Sequence, residues 1–156
     1  MLVWFPFFVL LLVSCITDFF YRKISNMLLL VIGGYGLIAS LFEMGNLVFI
    51  DSVLGLIIGL LIFIFPYYKS WIGAGDVKLM GVIGIYLGPA LTMLTSVYSM
   101  LVGGLIALIY LLTQGYLKES FRSLVNFESS HRQMPYAASL SIGAVLAVLT
   151  THNIQL

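Results

Sequence analysis

Trp71-Ile72-Gly73-Ala74-Gly75-Asp76-Val77-Lys78-Leu79 sets two charges, Asp76 and Lys78, inside a run of sequence otherwise apolar enough to sit in lipid. An ionisable side chain there is costly, so it faces a protein interior or a water-filled cavity and becomes a functional candidate. Gly73 and Gly75 remove side chains just before Asp76, which lets a backbone or a substrate come close. The plainer reading is a short polar loop with a solvated aspartate. Length bears on that choice. From Asp76 to the turn signal Gly88-Pro89 there is roughly 20 Å of helix, short of the roughly 30 Å hydrocarbon core. Either the helix runs past Pro89, or Asp76 lies within the membrane boundary.

The rest of the chain has the composition of a membrane protein. Of 156 residues 62% are hydrophobic and 8% charged, with a mean hydropathy of +1.13, far from the soluble norm. This predicts an all-α polytopic membrane protein, a single domain over residues 1–156. A net charge of +1 gives no reason to propose a nucleic-acid partner. Cys15 stands alone, which excludes an intramolecular disulfide and a CxxC zinc site. The first apolar run has no basic segment before it and no small-x-small site after it, so it is expected to stay as a helix.

Six transmembrane helices are expected, over about 2–17, 27–42, 52–65, 76–88, 92–112 and 135–150. Asp18 closes the first and Asp76 opens the fourth. Pro66 to Ser70 leads out of the third, whose Gly55-Leu-Ile-Ile-Gly59 is a small-xxx-small pattern expected to pack against another helix of this chain. All seven Lys and Arg residues fall in connections one, three and five: Arg22, Lys23, Lys69, Lys78, Lys118, Arg122 and Arg132. The positive-inside rule therefore puts those connections in the cytoplasm and both termini outside.

On that topology Asp18 and Asp76 share the cytoplasmic boundary. Glu43 and Asp51 fall on the outer side, and Glu119 and Glu128 in a polar loop with basic neighbours. Two carboxylates held close in a low-dielectric site share one proton. The ionised one takes a proton from water and the protonated one donates to a carbonyl oxygen, which is general acid–base hydrolysis of a peptide bond without metal or covalent intermediate. The helix ends favour negative charge at Asp76 and disfavour it at Asp18, so the shared proton is expected on Asp18. A magnesium ion on the two carboxylates is an alternative. Nucleophilic catalysis is less apt, because the two histidines are His131 in the loop and His152 in the tail. Lys78 either offsets Asp76 or snorkels to the interface.

The motifs resemble those of the type IV prepilin peptidases, a family of GxGD intramembrane aspartyl proteases. Gly73-Ala-Gly-Asp-Val-Lys-Leu79 matches the GxGD motif with its hydrophobic-Lys-Leu extension. Asp18 followed by Arg22-Lys-Ile-Ser-Asn26 is similar to the family's first motif, an aspartate and then Arg-x-Ile-Pro-Asn. Met134-Pro-Tyr-Ala137 is similar to the Pro-Tyr element that opens the last helix, here Pro135 and Tyr136. Three elements in this order span essentially the whole chain.

The resemblance implies a bacterial inner-membrane endopeptidase that removes the leader of a prepilin or pseudopilin at the cytoplasmic face. Its substrate carries a basic leader and a hydrophobic helix, and the bilayer is its other partner. Asp18 and Asp76 become the catalytic pair, with Gly73, Gly75 and Lys78 in the active-site loop and Arg22, Lys23 and Asn26 supporting the first motif. No metal or other cofactor is implied. Ser25 stands where the family has proline. The Cys-rich insertion of the longer members is lacking, so the chain resembles the short peptidases of Flp/Tad-type pili and is expected to cleave without methylating. Two other classes fit the residues: a proton- or ion-coupled carrier using the same two aspartates, and an assembly or scaffold subunit of a pilus machine with decayed activity.

Overall fold

A computed structural model describes residues 4–21, 24–42, 48–69, 72–114 and 136–154. They form α1 (Trp4–Tyr21), α2 (Asn26–Leu41), α3 (Phe49–Tyr68), α4 (Ala74–Gln114) and α5 (Tyr136–Ile154), with no strand among the described residues. The described residues are all-helical, in five helices where the sequence suggested six. The difference lies in α4, which runs through the Gly88-Pro89 turn signal. It is interrupted there, with Gly88 at φ 72°, ψ 178°, a conformation essentially restricted to glycine. Gly88 thus divides α4 into a first arm (74–87) and a second arm (89–114).

Two other boundaries move. α1 continues past Asp18 to Tyr21, so Asp18 sits inside its last turn. α3 passes through Pro66 and ends at Tyr68. Proline there removes a single backbone donor, and the helix resumes its pattern with Lys69 N–H donating to Phe65 O at 3.2 Å.

The first arm of α4 is the axis of the molecule. Leu79 to Leu87 are all buried, enclosed by packing of α4 against α3, α5, α2 and α1. Lipid tails are as apolar as leucine, so helix association in a bilayer depends on close packing, and small residues supply it. A Cβ on Gly55 of α3 would overlap the carbonyl oxygen of Gly84, and one on Gly84 that of Gly55. A Cβ on Gly59 would come within 2.6 Å of Met80 O. The Gly55/Gly59 pattern therefore packs α3 onto α4 within one chain, as expected. On α2, Gly36 makes room for the Tyr86 ring, whose hydroxyl donates to Ile32 O at 2.8 Å.

The side chains are sorted for lipid. On α1 the exposed stripe is Phe5, Phe8, Leu12, Ile16 and Phe20, while the inward stripe is Phe7, Leu10, Leu11, Ser14 and Asp18. Hydroxyls such as Ser14, Ser52, Thr92, Thr95, Ser99 and Ser141 are buried, and large hydrophobics cover the outside. Two helices, Phe49–Tyr68 and Ala74–Ile106, are long and apolar enough to cross a membrane; Trp4–Asp18, Asn26–Leu41 and Ala137–Thr150 are shorter apolar helices.

Candidate active site

The inward stripe of α1 carries Asp18 into the bundle one turn after Ser14, at the end where α4 begins. Asp76 is the third residue of α4. Both carboxylates are buried, at 7% and 8% exposure, and the charge of Asp18 acts on Asp76. The structure thus brings the two sequence-selected aspartates within electrostatic reach of each other. Among the described residues no group of three His, Cys, Asp or Glu side chains forms a metal cluster.

Local backbone chemistry orients Asp76. Gly73 caps α4: its carbonyl accepts the N–H of Asp76 at 3.1 Å and of Val77 at 3.4 Å. Its own N–H donates to Asp76 Oδ2 at 3.3 Å. A side chain three residues into a helix reaching back to the cap amide is half of a capping box. A Cβ on Gly73 would lie 3.3 Å from that carboxylate oxygen, so glycine leaves the carboxylate its place.

Gly75 serves a different neighbour. A Cβ there would press on Ile24 Cβ at 3.3 Å. Next to Ile24, Asn26 Oδ1 accepts Lys78 Nζ at 3.0 Å on the exposed rim. Ile24 ahead of α2 and Asn26 at its start therefore both meet the first two turns of α4. Lys78 joins the two motifs, a role beyond the snorkelling and charge-offsetting ones weighed from sequence. Ser25 adopts φ −66°, ψ 118° as the N-cap of α2, without a side-chain cap bond. That φ is the one a proline ring fixes, so serine leaves the backbone as the resembled motif would have it.

Asp18 is held from across the chain. Its Oδ2 accepts the N–H of Ala137 at 2.9 Å in a buried contact. Ala137 is the second residue of α5, where an amide has no acceptor within its own helix. One turn on, Ser141 Oγ lies 2.9 Å from Ala137 O and 3.2 Å from Leu11 O, so its hydroxyl ties α5 to α1. The expectation that the shared proton rests on Asp18 counted two helix ends; a third, the N-terminus of α5, meets Asp18 and favours negative charge there.

Arg22, Lys23 and Pro135 lie outside the described residues, as do Glu43, Glu119, Glu128 and His131. Tyr136 opens α5, but its side chain lies outside them too. Asp51, in the first turn of α3, is exposed. It borders a cavity of about 250 Å³ with Ser52, Tyr86, Gly88 and Pro89. Two contributors went unselected in the sequence reading, Ile24 and the Ala137 amide. Ile24 stands in the first motif and Ala137 directly after Pro135-Tyr136, so proximity to a motif was the available signal.

A model of the type IV leader peptidase family matches residues 5–108. The chain belongs to this family. It is accordingly a protease of the leader-peptidase type with a prepilin as its substrate class, and, given its apolar helices, a membrane protein. The carrier reading gives way to this one. The family match takes in α1, α2, α3 and most of α4, and so both aspartates; α5 lies beyond it. No curated protein and no solved structure matches the chain.

Proposed function

We propose that this protein is a multi-pass aspartyl endopeptidase of the bacterial inner membrane that cleaves Flp-type prepilins at the cytoplasmic face through Asp18 and Asp76. The observation that carries the reading is the convergence of these two buried carboxylates from α1 and α4 at one end of the bundle. The two arms of α4 act as separate passes, giving six in all, with both termini outside. Clustering of the basic residues in alternate connections supports the orientation.

The pair holds one proton between two carboxyl groups and titrates as a unit. The ionised group takes a proton from water as the water oxygen bonds to the scissile carbonyl carbon. The protonated group donates to the carbonyl oxygen, giving a neutral tetrahedral intermediate. Its collapse breaks the C–N bond, with the proton returned to the leaving amine. Burial favours this chemistry, since a low-dielectric site strengthens each charge interaction.

The decisive experiment is cleavage of a co-purified Flp-type prepilin in detergent. Activity is expected to survive excess EDTA and to show a bell-shaped pH profile. Loss with EDTA and rescue by Mg²⁺ would make the carboxylates metal ligands and refute the mechanism. Mass spectrometry of the product is expected to show a free, unmethylated N-terminus. Reporter fusions after Asn46 should read external and after Arg122 cytoplasmic; the opposite pair would reverse the orientation.

A further inference from the structure

We infer that the first turn of α5 is the positioning element of the dyad, acting through the Ala137 backbone N–H on the Asp18 carboxylate. The inference rests on the reading of Asp18 as a catalytic carboxylate. It concerns a part of the chain that lies outside residues 5–108, the span of the family match.

Asp18 stands in the last turn of α1, where the carbonyls of the helix end have no partner in their own helix and present negative dipole to a carboxylate. An aspartate there needs a donor from elsewhere, and one that holds it in a single rotamer. A backbone N–H in a helix suits this, because it cannot swing away as a lysine or serine donor does. Ala137 supplies it at 2.9 Å and is 0% exposed, so water has no access to replace it. The Ser141 hydroxyl at Leu11 O fixes α5 against α1 one turn deeper. Further along, a Cβ on Gly143 would overlap the Ser99 hydroxyl, and Ala144 and Ala147 are fully buried. Small residues therefore seat α5 closely enough for the Ala137 amide to reach Asp18. Asp76 has a matching device in the Gly73 N–H. Each carboxylate is thus set by a backbone amide at the start of a helix.

The test exchanges the amide alone. Lactic acid in place of Ala137, introduced by nonsense suppression, keeps the methyl group and turns the N–H into an ester oxygen. A hydrogen bond to a charged group is worth enough that kcat for leader cleavage is expected to fall roughly 10- to 100-fold, with KM nearly unchanged. Ala137→Gly, which retains the N–H, keeps most of the activity. Unchanged kcat in the ester protein, or a rise in KM alone, overturns the inference. A second measurement reads the contact without any substrate. In protein labelled with ¹⁵N-alanine, Asp18→Ala is expected to move the Ala137 amide proton upfield and speed its exchange. Asp18→Asn should shift it less, and Asp76→Ala should leave the contact formed and the amide protected from exchange. An Ala137 amide indifferent to Asp18→Ala also overturns the inference. If the wild-type protein cuts no prepilin, the peptidase reading fails and the catalytic sense of the contact fails with it, while the amide resonance still reports whether the contact exists.

Discussion

Asp51 and Asp76 occupy equivalent places, each in the first turn of an apolar helix, yet one is exposed and the other buried. α3 and α4 pack antiparallel through stacked contacts: Asp51 beside Gly88, Gly55 against Gly84, Gly59 against Met80. Their starts therefore lie at opposite ends of the bundle, separated by roughly 18 Å of helix. A helix N-terminus favours either carboxylate equally. What sets Asp76 apart is its surroundings: the Gly73 amide, the room that glycine leaves and the facing charge of Asp18. A helix start becomes a candidate site only where other segments close over it.

The comparison predicts its largest effect on cleavage. Asp76→Asn and Asp18→Asn are each expected to lower the rate of leader removal by roughly 10²- to 10⁴-fold or more. The double variant should be no worse, since members of one catalytic unit are not additive. Asp51→Asn should leave the rate nearly unchanged, and a loss like that of Asp76→Asn would erase the distinction between the two ends. Next comes the seam that keeps the ends apart. Gly55→Leu drives a side chain into the Gly84 backbone and is expected to cost at least about 1–3 kcal/mol, read as a lower unfolding temperature in detergent. Gly34→Ala is its control, because a Cβ there meets nothing within 4 Å.

A smaller effect is expected at the Asp51 end alone. Gly88→Ala places a side chain at φ 72° and should cost about 1–3 kcal/mol, while activity per folded molecule persists. If activity instead falls with stability intact, the two ends are coupled through the first arm of α4. The smallest effect is at the rim. Lys78→Ala and Asn26→Ala break one exposed hydrogen bond, so a double-mutant cycle on cleavage rate should give a coupling below about 1 kcal/mol. A larger coupling would mean that the rim, besides the backbone amides, sets Asp76 in place.

Much of this was readable in the chain. Asp76 and Gly73 could be selected because a charge in an apolar run is costly whatever the fold. Gly55 and Gly59 could be read as packing because small residues four apart have few other uses in a membrane helix. The break at Gly88-Pro89 was marked by its residues, though α4 continues through it. The ends of α1 and α3 were misjudged for one reason: each was placed at the first residue that interrupts the apolar run, and neither an aspartate nor a proline that removes a single backbone donor has to end a helix. The Ala137 amide was the hardest to see. Every residue but proline has an N–H, so a backbone donor leaves no mark in a sequence, and only the approach of α5 to α1 singles this one out.

The Asp18–Ala137 contact joins residues 119 positions apart, and this separation is also a time. A ribosome adds about 5–20 residues per second, so roughly 6 to 24 s pass between synthesis of the carboxylate and synthesis of its donor. For the last roughly 3 to 12 s of that interval, once Asp76 has been made, the growing chain holds both aspartates and lacks this amide. If the amide orders Asp18 for catalysis, α5 works as a safety catch: a chain stalled or broken before it would carry the acidic pair without this means of aiming it.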